Sequence, residues 1–139
     1  MKSNTDNTHL LAVYGTLKRG LHNAHWMRGA RFVGTDELSN IVLHDLGPYP
    51  GACLCDSDGV TVEVYAVSDA KLHHIDLLEE YNADDPARGL YDRVLLPTRF
   101  GDAWVYVYNR SVEGCPVIRR GGWLPDPARQ YLSEPEPGV

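Results

Sequence analysis

The sequence predicts an α+β fold: a small, mostly antiparallel sheet, curled or closed, with one principal helix packed on it. Three observations carry this expectation. Short apolar or alternating runs recur along the chain and read as six strands. Only one segment, Asp69 to Glu80, has a convincing helical pattern. Strands therefore outnumber helices and do not alternate with them, which disfavours an α/β layering.

Leu10 to Tyr14 is an apolar run closed by Gly15, a buried strand entering a tight turn. His22 to Arg28 reads as a short second helix. Ile41 to Leu46 is the next strand. Gly47-Pro48-Tyr49-Pro50-Gly51 then forces a rigid, non-helical loop, because each proline fixes φ and removes a donor. Ala52 to Cys55 is a short strand, followed by a turn at Asp58-Gly59. Val60 to Val67 alternates, with Val60, Val62, Val64 and Ala66 on one face. Ser68 is placed to cap the helix, and Asp69 suits its positive pole. Arg93 to Phe100 and Ala103 to Tyr108 are two more strands, joined at Gly101-Asp102 with the spacing of a hairpin. Trp104, Tyr106 and Tyr108 line one face of the second. The tail after Cys115 is rich in Gly, Pro and Arg, and Ser133 to Val139 is expected to be disordered.

The chain has 139 residues, with 19 acidic against 13 basic side chains and a formal charge of −6. At this length one domain is expected over 1–139, with a core of about 10–125 and flexible ends. Net acidity argues against a nucleic-acid partner, whose binding runs on neutralised phosphates. No apolar stretch approaches the roughly 20 residues of a membrane span, and the polar start, Met1 to His9, does not resemble a signal peptide. A soluble, cytoplasmic protein is the expectation. Three cysteines, Cys53, Cys55 and Cys115, fit a reducing compartment. Cys53 and Cys55 sit on one face of an apolar run and read as buried thiols rather than a metal or redox pair.

Two places stand out for chemistry. The first is Tyr14-Gly15-Thr16-Leu17-Lys18-Arg19-Gly20, where a strand ends in a turn that exposes several backbone N–H groups, a nest suited to an anion such as a carboxylate. It is not a P-loop: Leu21-His22 stands where Lys-Ser/Thr is required. An ordinary turn is the competing explanation. The second is Glu79. Helical residues seven apart nearly coincide, so Glu79 shares a stripe with Leu72, beside Ile75 and Asp76, while Glu80 points away. Partial burial, the Asp76 charge and the helix C-terminal pole would each raise its pKa toward the range useful for general acid–base work. A solvated glutamate at a fraying helix end is the alternative.

Other chemistries are poorly supported. His73 and His74 point in different directions, and His22 with His25 lacks a third ligand, so no metal is expected. No Gly-x-Ser-x-Gly is present, and no flanking sequence stabilises a thiolate.

Taken together, these segments resemble the gamma-glutamylcyclotransferase-like superfamily, and within it the small gamma-glutamylamine cyclotransferase branch. The resemblance runs through Val13 to Gly20, Pro48-Tyr49-Pro50, Glu63-Val64-Tyr65-Ala66-Val67, Leu72 to Glu79 and Leu90-Tyr91-Asp92-Arg93, roughly Leu10 to Tyr108. It implies a small β-barrel with flanking helices. It also implies that Tyr14, Gly15, Thr16 and Leu17 hold the gamma-glutamyl part of a substrate. The catalytic glutamate of the family's Asp-x-x-Glu segment falls on Glu79, within Asp76-Leu77-Leu78-Glu79. Many relatives have Gly after this glutamate, where this chain has Glu80.

The implied reaction is intramolecular: the alpha-amine of a gamma-glutamyl amide attacks its own gamma carbonyl, 5-oxoproline forms and an amine leaves. One carboxylate, Glu79, serves as base and then acid. Backbone N–H groups of Gly15 to Leu17 hold the carboxylate or the developing oxyanion. Tyr49 and Tyr91 wall the pocket, unless they simply pack at the barrel rim. No metal or organic cofactor is required. Two other classes stay open: a binding module on the same barrel that captures an amino-acid-like ligand without turnover, and an oligomerising protein with Tyr106 or Tyr108 at an interface. The amine portion of the substrate and the oligomeric state are not legible.

Overall fold

The fold is organised around β5, Val60–Ser68. Its valines favour extended backbone, and it pairs antiparallel on both sides, with β1 (Thr8–Val13) and with β2 (Arg31–Leu38). A computed structural model describes residues 8–21 and 23–124. The remaining elements are β3 (Ile41–Asp45), β4 (Pro50–Leu54), α1 (Asp69–Leu78), β6 (Tyr91–Thr98), β7 (Gly101–Tyr108) and β8 (Val117–Ile118). Short 3-10 turns span Ala24–Met27 and Pro86–Arg88.

The hydrogen-bonded ladders make two sheets, one of five strands in the order β2-β5-β1-β7-β6 and one of three in the order β4-β3-β8. The architecture is α+β, as expected. These ladders among the described residues do not close a barrel, and β1 runs parallel to β7 with Leu11 opposite Trp104. Tyrosine hydroxyls join the two sheets instead. Tyr14 donates to the Tyr106 carbonyl at 2.7 Å and accepts from the Ala52 N–H at 3.2 Å. Tyr91 donates to the Pro50 carbonyl at 2.6 Å. Gly51 lets the sheets come this close: a Cβ there would lie 2.7 Å from Cβ of Tyr108.

All six expected strands are present with shifted ends, and the loop around Pro48 is shorter than predicted because Pro50 and Gly51 already pair with Asp45 and His44. Between β6 and β7, the hairpin turn is Arg99-Phe100 rather than Gly101-Asp102. Thr98 pairs with Gly101, whose φ of +115° only glycine adopts readily. The expected helix at His22 to Arg28 is only the 3-10 turn Ala24–Met27, and His22 lies outside the described residues. The tail from Ser133 to Val139 also lies outside them.

Val60, Val62 and Val64 are fully buried, but so, nearly, are Tyr65 and Val67, because β5 is covered on both faces. Cys55 is exposed and Cys53 half-buried, so the buried-thiol expectation fails for Cys55: β4 ends at Leu54, and the chain has left the sheet. Tyr106 is fully buried and cannot form an oligomer interface.

Candidate active site

Helix α1 delivers Glu79. Ser68 Oγ caps the helix by accepting from the Lys71 N–H at 3.1 Å. Leu72 and Ile75 are buried against the sheet. The predicted helix ran to Glu80; it stops at Leu78, with Glu79 as its C-cap. Glu80 then takes φ +57°, its N–H bonding the Leu77 carbonyl at 3.2 Å, and the Tyr81 N–H bonds the Asp76 carbonyl at 2.9 Å. This pair of reversed bonds is a Schellman ending, normally built on glycine. It turns the chain away immediately after Glu79. Glu79 is 0% exposed and Glu80 is exposed, so the two acids part as expected, though through this turn rather than through continued helix.

The Glu79 charge is felt by three buried tyrosines. Burial holds the phenols of Tyr14, Tyr91 and Tyr106 protonated well above their ordinary range, and the Glu79 charge adds to the shift at each. Tyr106 donates to Asp76 Oδ1 at 2.6 Å. Asp76 also pairs with Arg93 at 3.4 Å, and the Arg93 guanidinium lies over the Trp104 and Tyr81 rings. Burial raises the Asp76 carboxyl, while the Tyr106 hydrogen bond and Arg93 pull it back.

The turn after β1 is held from several sides. Lys18 N–H bonds the Gly15 carbonyl at 3.0 Å and closes the turn. Asn23, fully buried, donates to Thr16 Oγ1 at 3.0 Å, and its N–H reaches the Thr16 carbonyl at 3.0 Å. Glu63 Oε1 accepts the Arg19 N–H at 2.9 Å and the Tyr65 hydroxyl at 3.0 Å. Tyr14, Thr16 and Leu17 are buried. Tyr49 is half-buried against the core, close enough to Tyr91 for its charge to affect that phenol.

The structure thus brings Tyr14, Tyr91 and Glu79 together, with Tyr49 next to Tyr91. Sequence reasoning missed Asn23 and the role of Tyr106. Asn23 carried no local signal, since its partner is seven residues away across a turn. Tyr106 was visible only as part of an aromatic face. A cavity of about 460 Å³ lies elsewhere, lined by His73, Asp76 and Leu77 of α1, by Glu80 just after it, and by Arg88 and Arg110. It contains none of Tyr14, Gly15, Tyr49, Glu79 or Tyr91, so it is not the site these residues form. His73 and His74 are exposed. Among the described residues, no group of three or more His, Cys, Asp or Glu is placed to hold a metal ion, and no helix is long and apolar enough to cross a membrane.

Glu79 is thus an acid buried at the end of a helix, near enough to three buried phenols for its charge to act on each. Comparison with known proteins gives the family. Residues 11–125 match the family model described as "Gamma-glutamyl cyclotransferase, AIG2-like". The chain belongs to this family. It is 39% identical over 112 residues to the gamma-glutamylcyclotransferase family protein YtfP of Escherichia coli K12, covering 81% of this chain and 93% of that one. It is 38% identical over 108 residues to the gamma-L-glutamyl-butirosin B gamma-glutamyl cyclotransferase of Niallia circulans, covering 73% of this chain and 67% of the relative. The crystal structure of an AIG2-like protein from Mus musculus superposes with a TM-score of 0.65 at 25% identity, covering 79% of this chain and 85% of that one.

Proposed function

We propose that the chain is a gamma-glutamyl cyclotransferase that converts a gamma-glutamyl amide into 5-oxoproline and a free amine, with Glu79 as general base and then general acid. The observation that carries this is Glu79 itself: a carboxylate with no exposed surface, at a helix end beside Tyr14, Tyr91 and Tyr106. A buried acid at such a position costs stability unless it has a use. Membership of the family supports the activity class.

In this mechanism the Gly15 to Leu17 turn and the rings of Tyr49 and Tyr91 hold the substrate folded. Glu79 takes one proton from the alpha-ammonium. The amine nitrogen attacks the gamma carbonyl and forms a tetrahedral centre, and backbone N–H groups of the turn stabilise its oxyanion. Glu79 passes its proton to the leaving nitrogen as the C–N bond breaks, then takes the second proton from the lactam nitrogen and hands it to the freed amine, which departs as an ammonium. No water is consumed, and 5-oxoproline and a protonated amine are the only products. The hydroxyls of Tyr14 and Tyr91 already bond backbone groups, so these residues contribute ring surface and rigidity.

Release of 5-oxoproline from a panel of gamma-glutamyl amides tests the proposal. The panel should include gamma-glutamyl amino acids, gamma-glutamyl-lysine and gamma-L-glutamyl-butirosin B, the compound in the Niallia relative's name. Turnover of at least one member is expected. Tight binding of members with no 5-oxoproline from any would replace the enzyme with a ligand-binding module.

A further inference from the structure

Trp123 is a fully buried side chain well beyond the motifs quoted for the site, and it bonds one of them at Lys18 and the approach to another at Asp45. Its carbonyl oxygen accepts from Lys18 Nζ at 2.8 Å. Its indole N–H donates to Asp45 Oδ1 at 3.2 Å, and the same oxygen accepts the Gly47 N–H at 2.9 Å. One residue is therefore wired to the turn after β1 and to the bend after β3. Its own segment is fixed to the start of β5: the Gly121 N–H bonds the Gly59 carbonyl, and the Thr61 N–H bonds the Gly121 carbonyl, both at 2.9 Å. Gly122 lies against Lys18, where a Cβ would stand 3.3 Å from Nζ. Any buried indole and carbonyl need partners; what distinguishes this residue is that its two partners belong to two different loops.

We propose that Trp123 is a positioning residue. Together with Lys18 it forms a clasp by which the segment 121–124 sets the separation of the Tyr14–Gly20 turn and the Gly47–Tyr49 bend, and hence how firmly the gamma-glutamyl group is held. This rests on the site assignment above, in which both loops wall the pocket. Glu79 stands at the end of α1, on a different element from the clasp. Loosening the clasp therefore makes binding order two loops that are otherwise held in advance. The consequence falls on KM, while kcat, set by Glu79, is spared.

Hydrogen–deuterium exchange and steady-state kinetics on the full chain test this with Trp123→Phe, which keeps the ring and removes the indole donor, and Lys18→Met, which keeps the stem and removes the ammonium. Each variant is expected to speed exchange at both loops: at the amides of Thr16 to Gly20 and at those of Gly47 and Tyr49. Trp123→Phe should raise KM about three- to ten-fold, the size of one lost hydrogen bond, with kcat within about two-fold. If each variant loosens only the loop it directly bonds, or only 121–124, there is no clasp. Faster exchange in both loops with unchanged KM would remove its role in binding. If Trp123→Phe does not fold, Lys18→Met decides. Should the wild type release no 5-oxoproline, the proposed activity fails, and exchange still decides the clasp.

Discussion

Tyr106 donates to Asp76 at 2.6 Å while its phenol also feels the Glu79 charge, so one tyrosine is coupled to both acids of the Asp-x-x-Glu segment. Asp76 is further held by Arg93. The first acid of the segment is thus a structural partner of β6 and β7, and the second is the fully buried one. Tyr106→Phe removes the donor and leaves a mostly buried carboxylate short of one bond. A loss of about 1–3 kcal/mol in unfolding free energy is expected by denaturant titration. An unchanged midpoint would show that water or Arg93 replaces the hydroxyl.

Glu79→Gln should fold and bind substrate but not turn it over. The amide keeps the size of the acid and cannot accept the alpha-ammonium proton. General acid–base assistance is worth about 10²–10⁴ in rate, and one group here serves both transfers, so the upper end is expected. Single-turnover release of 5-oxoproline measures it. A rate within a few-fold of wild type would dismiss Glu79 as the base.

Glu80 occupies a left-handed position at the helix end, where glycine avoids the Cβ strain. Glu80→Gly is expected to raise stability by about 0.5–1 kcal/mol, the relief of that strain less the extra backbone entropy of glycine. Turnover should stay near wild type, because the side chain is exposed and points away from Glu79. If Glu80→Gln instead abolishes activity while Glu79→Gln keeps it, the acid has been placed one residue off.

Gly15→Ala should weaken binding of a gamma-glutamyl ligand more than it weakens folding. A Cβ in the turn would crowd the ligand that its backbone is proposed to hold. Ligand titration and equilibrium unfolding on the same sample separate the two effects. Normal binding would take the turn out of the site.

Tyr14, Tyr91 and Tyr106 make alkaline pH destabilising. Their folded pKa values lie above the unfolded value near 10, chiefly through burial. The stability they contribute is fully present below pH ~10. Above it, the unfolded chain releases three protons that the folded chain keeps, so stability falls by about 1.4 kcal/mol per pH unit for each tyrosine. Tyrosinate absorbance from these three should therefore appear together with unfolding, in one cooperative step. Gradual titration of all eight tyrosines before the fold is lost would contradict their burial.

Local chemistry was enough to settle the elements whose pattern is repeated within a few residues. The alternation of Val60 to Ala66, the Ser68 cap and the Leu72–Ile75–Glu79 stripe each depend on spacing along the chain, and each is present. Helical spacing anticipates that Glu79 and Glu80 part, but the left-handed turn at Glu80 is what separates them. Partners distant in sequence had no such signal. β2 was not foreseen because it is an edge strand with one paired side, a Phe32/Gly34 irregularity and many exposed positions, so it shows no alternation. β8 is two residues long and exists only because β3 is beside it. The parallel contact of β1 with β7, the Tyr14 and Tyr91 links between sheets, the Asn23 bond to Thr16 and the Lys18–Trp123–Asp45 chain join residues whose proximity is created by folding. Periodicity reports which face of an element is buried. Only the packed structure decides what that face meets, because each of these hydrogen bonds needs two segments brought within about 3 Å by the rest of the core.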